Sequence, residues 1–228
     1  MIGIIGAMES ETAAIIREME RAEKKEISGV QFVRGVWGGK EVVVATSGVG
    51  KVFAALCAEA MILAYQPEWI VNTGVAGALD LQLGILDVVV AKEVVQHDMD
   101  TSPLGDPPGM ISGINKITLP ADQKLCKAFE KAAASLGVQA HRGVVASGDQ
   151  FIADQEKKDL IRNRFSAACC EMEGAAIGHV CYVNKVPFAV LRTISDGASE
   201  EASMDFPVFA KKAAKQSVKI LKEALVQF

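Results

Sequence analysis

The 228-residue chain has no run of basic residues and a formal net charge of −4, which argues against nucleic acid as a main partner. It also lacks an apolar stretch of membrane-spanning length: the run from Phe53 to Tyr65 is short and carries Glu59. The N-terminus reads as a strand, without the basic segment that begins a secretory leader. The five cysteines are odd in number and none lie in a C-x-x-C spacing, so neither a disulfide framework nor a zinc knuckle is expected. Adjacent Cys169 and Cys170 read as core thiols. Repeats, low-complexity segments and linkers are missing too. These absences point to a soluble, cytoplasmic protein that handles a small molecule. What the chain does have is apolar content: half of it is hydrophobic, enough for one large domain over residues 1–228.

Apolar strand patterns alternate with helical ones. Ile2 to Ile5 is a buried strand, and Thr12 to Glu20 sets Ile15, Ile16 and Met19 on one helical face. Val30 to Trp37 and Glu41 to Thr46 flank Gly38-Gly39, a strong hairpin signal. Ser47-Gly48-Val49-Gly50-Lys51 then opens a helix over Val52 to Leu63. That turn is not a Walker A loop and lacks the full dinucleotide fingerprint; an anion site and a tight strand-to-helix turn both explain it. Strands are expected at Trp69 to Asn72, Leu86 to Ala91, Gly143 to Ala146 and Val186 to Ile194. Helices are expected at Ala121 to Leu136, Gly174 to Tyr182 and Phe206 to Leu225, and Asp154 to Arg164 reads as a solvated helix face. Hairpin and parallel signals are mixed. The fold class is therefore α/β: a single domain with a mixed, strongly twisted sheet flanked by helices.

Acids stand at the ends of these strands. Glu173 follows the extended run that ends in Cys170-Glu171, and Asp196 follows the apolar strand, where ligands bind in open α/β sheets. Glu9 and Glu11 open the first helix, where they suit the dipole; alternatively Glu11, at the mouth of the sheet, supplies a base. Asp196, beside apolar core, is expected to have a raised pKa. His97-Asp98-Met99-Asp100 invites a metal reading, but no second His or Cys cluster completes a coordination sphere. A solvated turn, or a loop crossing to a partner subunit, explains it better.

Four strand-end motifs occur together: Gly6-Ala7-Met8-Glu9-Ser10-Glu11, Asn72-Thr73-Gly74-Val75-Ala76-Gly77, Ser147-Gly148-Asp149-Gln150-Phe151-Ile152, and Glu171-Met172-Glu173 with Ser195-Asp196. In this order and spacing the chain resembles the bacterial 5′-methylthioadenosine/S-adenosylhomocysteine nucleosidases of the nucleoside phosphorylase superfamily. The resemblance implies hydrolysis of an N-glycosidic bond, giving adenine and a 5-thio-ribose, with no metal or organic cofactor. It assigns Asp196 to protonating adenine N7 and Glu11 to activating water. Glu173 holds the ribose hydroxyls, with Met172 below the sugar, and Phe151 and Ile152 form the purine pocket. Met8 and Phe206 wall the ribose and 5′-thio end, and Arg192 stands near the water. Val75, Ala76, Gly77 and Ser195 complete the substrate-binding set. It also implies a homodimer, with the Pro103–Gly113 loop near the partner's pocket.

The chain departs from the family at Val75, where serine is common. It departs again in the 103–113 loop, where Leu104 and Asp106 replace frequent aromatics. Three other readings compete. A phosphorylase of the same fold needs arginines for phosphate, where this chain puts Glu9 and Glu11. A futalosine-type nucleosidase shares the motif residues. A nucleoside-binding module needs the pocket but neither Glu11 nor Asp196.

Overall fold

The computed structural model describes residues 1–198 and 202–227. It opens with β1 (Ile2–Gly6) and α1 (Glu9–Glu18), then the meander β2 (Glu20–Ile27), β3 (Val30–Trp37) and β4 (Lys40–Thr46). Helix α2 (Lys51–Tyr65) leads into β5 (Trp69–Ala78), β6 (Val88–Gln96) and the short β7 (Thr118–Pro120). Then come α3 (Gln123–Ser135), β8 (Ala140–Ser147), α4 (Gln155–Phe165) and β9 (Ala167–Glu171). The chain finishes with α5 (Gly174–Asn184), β10 (Phe188–Asp196) and α6 (Ala202–Leu225).

All ten strands join one mixed sheet. Its centre is β5, every residue of which is buried. Strand β10 pairs in parallel along most of β5 and is antiparallel to β6. Since β6 pairs with β8, β8 with β9, and β9 with the end of β5, these five strands close on themselves. On its other edge β5 begins beside β1. That pairing stops at Ile5–Asn72, and β9 takes over at Gly77–Cys170. Residues 73–76 therefore face a split in the sheet, with backbone donors turned toward it. Splits of this kind, where neighbouring strands diverge, are where ligands settle in α/β sheets.

The sequence reading holds for the alternation and needs four corrections. Strand β5 runs on through the small residues to Ala78, because Gly74 to Gly77 pair with β10. Strand β2 was not foreseen: six of its eight residues are charged and almost all are exposed, so it has no apolar period and is held by its ladder to β3. Strand β7 was also missed; three residues are too few to show a period. Finally, α4 is not wholly solvated. Lys158 is buried, and its Nζ donates to Gly197 O at 2.9 Å.

Candidate active site

The split in the sheet opens on a cavity of about 250 Å³. Of the residues expected at a site, Met8, Glu11, Val75, Ala76, Gly77, Phe151, Ile152, Met172, Glu173, Ser195, Asp196 and Phe206 all line it. Five more lie there that the sequence reading did not assign to the substrate: Ala7, Val49, Gln150, Cys170 and Glu171. Gln150 and Val49 had a signal, since each sits in a motif already singled out. No Lys, Arg or His is among the described residues lining it.

Glu11 is the third residue of α1, and its carboxylate does two jobs. Oε2 accepts from the N–H groups of Ala7 and Met8 at 2.7 and 3.0 Å, closing the helix start. Oε1 accepts from Val75 N–H at 3.1 Å, on the edge of β5 left open between β1 and β9. The carboxylate thus fills the gap between β1 and β9. Burial pushes its pKa up, against the pull of the Arg192 charge and the three N–H donors.

Asp196 arrives by a different device. The β10 ladder shifts register between Ile194 and Asp196, and such a bulge re-aims the side chain beyond it. Ser195 Oγ donates to Asp196 Oδ1 at 2.8 Å. Asp196 Oδ2 lies so close to Gly77 that a Cβ there would stand 2.6 Å away. Both acids are therefore set against one strand, Glu11 at Val75 and Asp196 at Gly77.

Between strand β9 and helix α5 the two glutamates diverge. Glu171 Oε2 accepts from Glu173 N–H at 3.1 Å and Gly174 N–H at 2.7 Å, an anion at a helix start. Its other oxygen takes the Ser147 hydroxyl, which itself accepts from Ala175 N–H at 2.7 Å. The carboxylate of Glu173, the N-cap residue, receives one hydrogen bond among the described residues, from Gly50 N–H to Oε1 at 2.9 Å. Desolvation, and next the neighbouring Glu171 charge, raise its pKa to about 7.

Arg192 does not reach the cavity. It is fully buried behind the wall, donating from Nη2 to Glu171 Oε2 and Asn72 Oδ1. The glycine at 74 makes room for it, because a Cβ there would overlap both Arg192 Nη1 and Glu11 Oε1. At the mouth, Phe151 is half exposed and meets Phe206 edge to face, ring centres 5.6 Å apart.

The His97–Asp100 segment lies apart from this cavity. Asp98 is ion-paired to Lys51 at 2.6 Å, and His97 packs under Gly148. Among the described residues no group of three or more His, Cys, Asp or Glu side chains gathers as a metal site.

A family model described as the phosphorylase superfamily matches residues 1–226. The chain belongs to that superfamily. It is 42% identical over 218 residues to a 5′-methylthioadenosine/S-adenosylhomocysteine nucleosidase of Shewanella loihica, covering 95% of this chain and 94% of that one. Among solved structures, the same-named nucleosidase of Neisseria meningitidis, in complex with methylthio-immucillin-A, superposes with a TM-score of 0.96. It is 33% identical, with 100% of this chain and 99% of that one covered. Futalosine hydrolase of Helicobacter pylori superposes with a TM-score of 0.95 at 38% identity, covering 100% and 97%. The nucleoside phosphorylase-like α/β fold expected from the sequence is the fold observed.

Proposed function

We propose that this chain hydrolyses the N-glycosidic bond of 5′-methylthioadenosine and S-adenosylhomocysteine, releasing adenine and the 5-thio-ribose. One observation carries the reading: Glu11 and Asp196 border one apolar cavity, set against β5 two residues apart. Two residues of strand span ~7 Å, a separation that leaves room for a sugar carbon and an attacking water between two carboxyls.

In this mechanism Asp196 gives its proton to adenine N7 as the C1′–N9 bond breaks, so the base leaves neutral. Water attacks C1′ and passes a proton to Glu11. Burial makes Glu11 a stronger base than a solvated carboxylate. Glu173 holds the ribose hydroxyls, and Met172 packs below the sugar. Phe151 and Ile152 grip the purine, with Ala76, Gly77 and Ser195 forming the wall around Asp196. Met8, Val75 and Phe206 make an apolar surface toward the ribose and its 5′ group. Arg192 acts through Glu171 as a positioning residue. Water is favoured over phosphate as the nucleophile because no cation lines the described cavity and Glu11 would repel the anion.

The test is incubation with 5′-methylthioadenosine, with and without phosphate. Free 5-methylthioribose is expected in both. A sugar 1-phosphate, with turnover dependent on phosphate, overturns the reading. Likeness to the Helicobacter pylori futalosine hydrolase favours a second reading, the same cleavage on futalosine, and relative kcat/KM on the two substrates decides between them.

We also propose that the protein works in the cytoplasm as a homodimer. Val52, Phe53 and Leu63 on α2 are 77, 57 and 70% exposed, and Val183 on the adjoining α5 is 59% exposed. An apolar surface of this kind marks an interface. Leu104, in the loop expected to reach the partner's pocket, is 84% exposed. Light scattering should give twice the chain mass; a fully active monomer refutes the dimer.

A further inference from the structure

Three motifs remain unused by the mechanism: Gly50-Lys51, His97-Asp98 and Gly148-Asp149. They come together in a closed ring of hydrogen bonds. Lys51 N–H donates to Asp149 Oδ1 at 2.7 Å, and Asp149 N–H donates to Asp98 Oδ2 at 2.9 Å. Lys51 Nζ closes the ring on Asp98 Oδ1 at 2.6 Å. The ring thus ties the start of α2 to the turns that follow β6 and β8. It is built from partly exposed side chains, so core packing does not explain it.

Its neighbour gives it a purpose. Gly50 precedes Lys51 and supplies the one described hydrogen bond to the Glu173 carboxylate. Its φ of 102° is a conformation that only glycine adopts easily. The peptide that follows it is held by Asp149, whose Oδ1 accepts from Lys51 N–H and lies 3.0 Å from where a Cβ on Gly50 would stand. Arg192 stands 3.8 Å from Glu173 Oε2, near enough to attract its charge but without a hydrogen bond to set its direction, so the Gly50 N–H is what aims it.

We propose that Lys51, Asp98 and Asp149 are positioning residues that fix the Gly50 peptide and, through it, aim the Glu173 carboxylate at the sugar. This rests on the nucleosidase reading given above. No ring member lines the cavity, so the effect on the sugar is indirect. A carboxylate misplaced by a fraction of an ångström loses its fit to the transition state, and displacements near 1 Å cost ~10²-fold.

The experiment is a double-mutant cycle on 5′-methylthioadenosine cleavage. Asp149→Ala removes the acceptor that holds Lys51 N–H, and kcat should fall ~10-fold or more. Asp149→Asn keeps an acceptor oxygen and should stay within about threefold of the parent. In a Glu173→Gln background the Asp149→Ala change should cost under about twofold more, because its route to the substrate is already cut. Lys51→Met, which opens the ring from its solvent side, serves for the same cycle if Asp149→Ala does not fold. Parental kcat in the ring variants, or an undiminished loss on top of Glu173→Gln, overturns the proposal. A parent protein that does not cleave the substrate overturns the functional reading, and this inference with it.

Discussion

Nη2 of Arg192 bonds Glu171 Oε2 and stops 3.8 Å short of Glu173 Oε2. Two glutamates, two residues apart, thereby receive different treatment from one cation. Glu171 is consumed by structure: it holds Arg192, Ser147 and the first turn of α5. Glu173 keeps lone pairs free for a ligand, and the low polarity around it raises its pKa to about 7.

That raised pKa has a stability consequence with a definite sign. Glu173 ionises near 4.5 when unfolded and near 7 when folded. Between those values the unfolded chain gives up a proton that the folded chain keeps, so stability falls as pH rises. Above about pH 7 the cost of a buried charge is fully present. Glu173→Gln should therefore be more stable than the parent by ~1–3 kcal/mol at about pH 8, and equal to it at about pH 4. Urea denaturation at both pH values checks this, and equal midpoints at the higher pH would sink it. The same variant should lose most of its turnover.

Asp196→Asn separates binding from proton transfer. The amide still offers a hydrogen bond to the purine, so adenine should bind within about an order of magnitude of the parent, ~1.4 kcal/mol. Turnover should fall by ~10² or more, the loss of a general acid. A folded variant with near-parental turnover removes Asp196 from the mechanism.

Gly77→Ala should reproduce part of that loss without replacing any titratable group. The new methyl would sit 2.6 Å from Asp196 Oδ2, and the carboxylate must move. A fall of ~10-fold or more in kcat is expected, with circular dichroism unchanged. Unaltered kinetics would mean that the position of Asp196 does not matter.

Arg192→Met leaves Glu171 as an unpaired buried charge. Removing one partner of such a pair costs ~3–5 kcal/mol, readable as a drop in the urea midpoint. Adding Glu171→Gln should recover part of the loss. If Arg192→Met alone is neutral, the ion pair is not what holds this wall together.

The strand-end acids were legible because they stand beside apolar runs: Glu11 after Ile2 to Gly6, Asp196 after Phe188 to Ile194. The ladder shift that turns Asp196 was not legible, since nothing in Thr193-Ile194-Ser195 marks a bulge. Arg192 was expected near the attacking water because the family resemblance implies it. Its actual partners, Glu171 and Asn72, come from separate strands, and only the closed five-strand arrangement brings them together. Strand β2 stayed hidden because its pairing with β3, not its side chains, defines it.

The thiols close the account in a practical way. All five cysteines are buried, in α2, α3, β9 and α5, and burial pushes Cys57, Cys170 and Cys181 up to about 12. A folded molecule therefore presents almost no thiolate to an alkylating reagent, and labelling waits for the chain to open. With thiols in three helices and in the sheet, mass spectrometry of a timed labelling pulse would report which part opens first. Cys170 adds a second signal: it alone among them borders the cavity, so a bound nucleoside, which stabilises the folded chain as a whole, should slow its labelling the most.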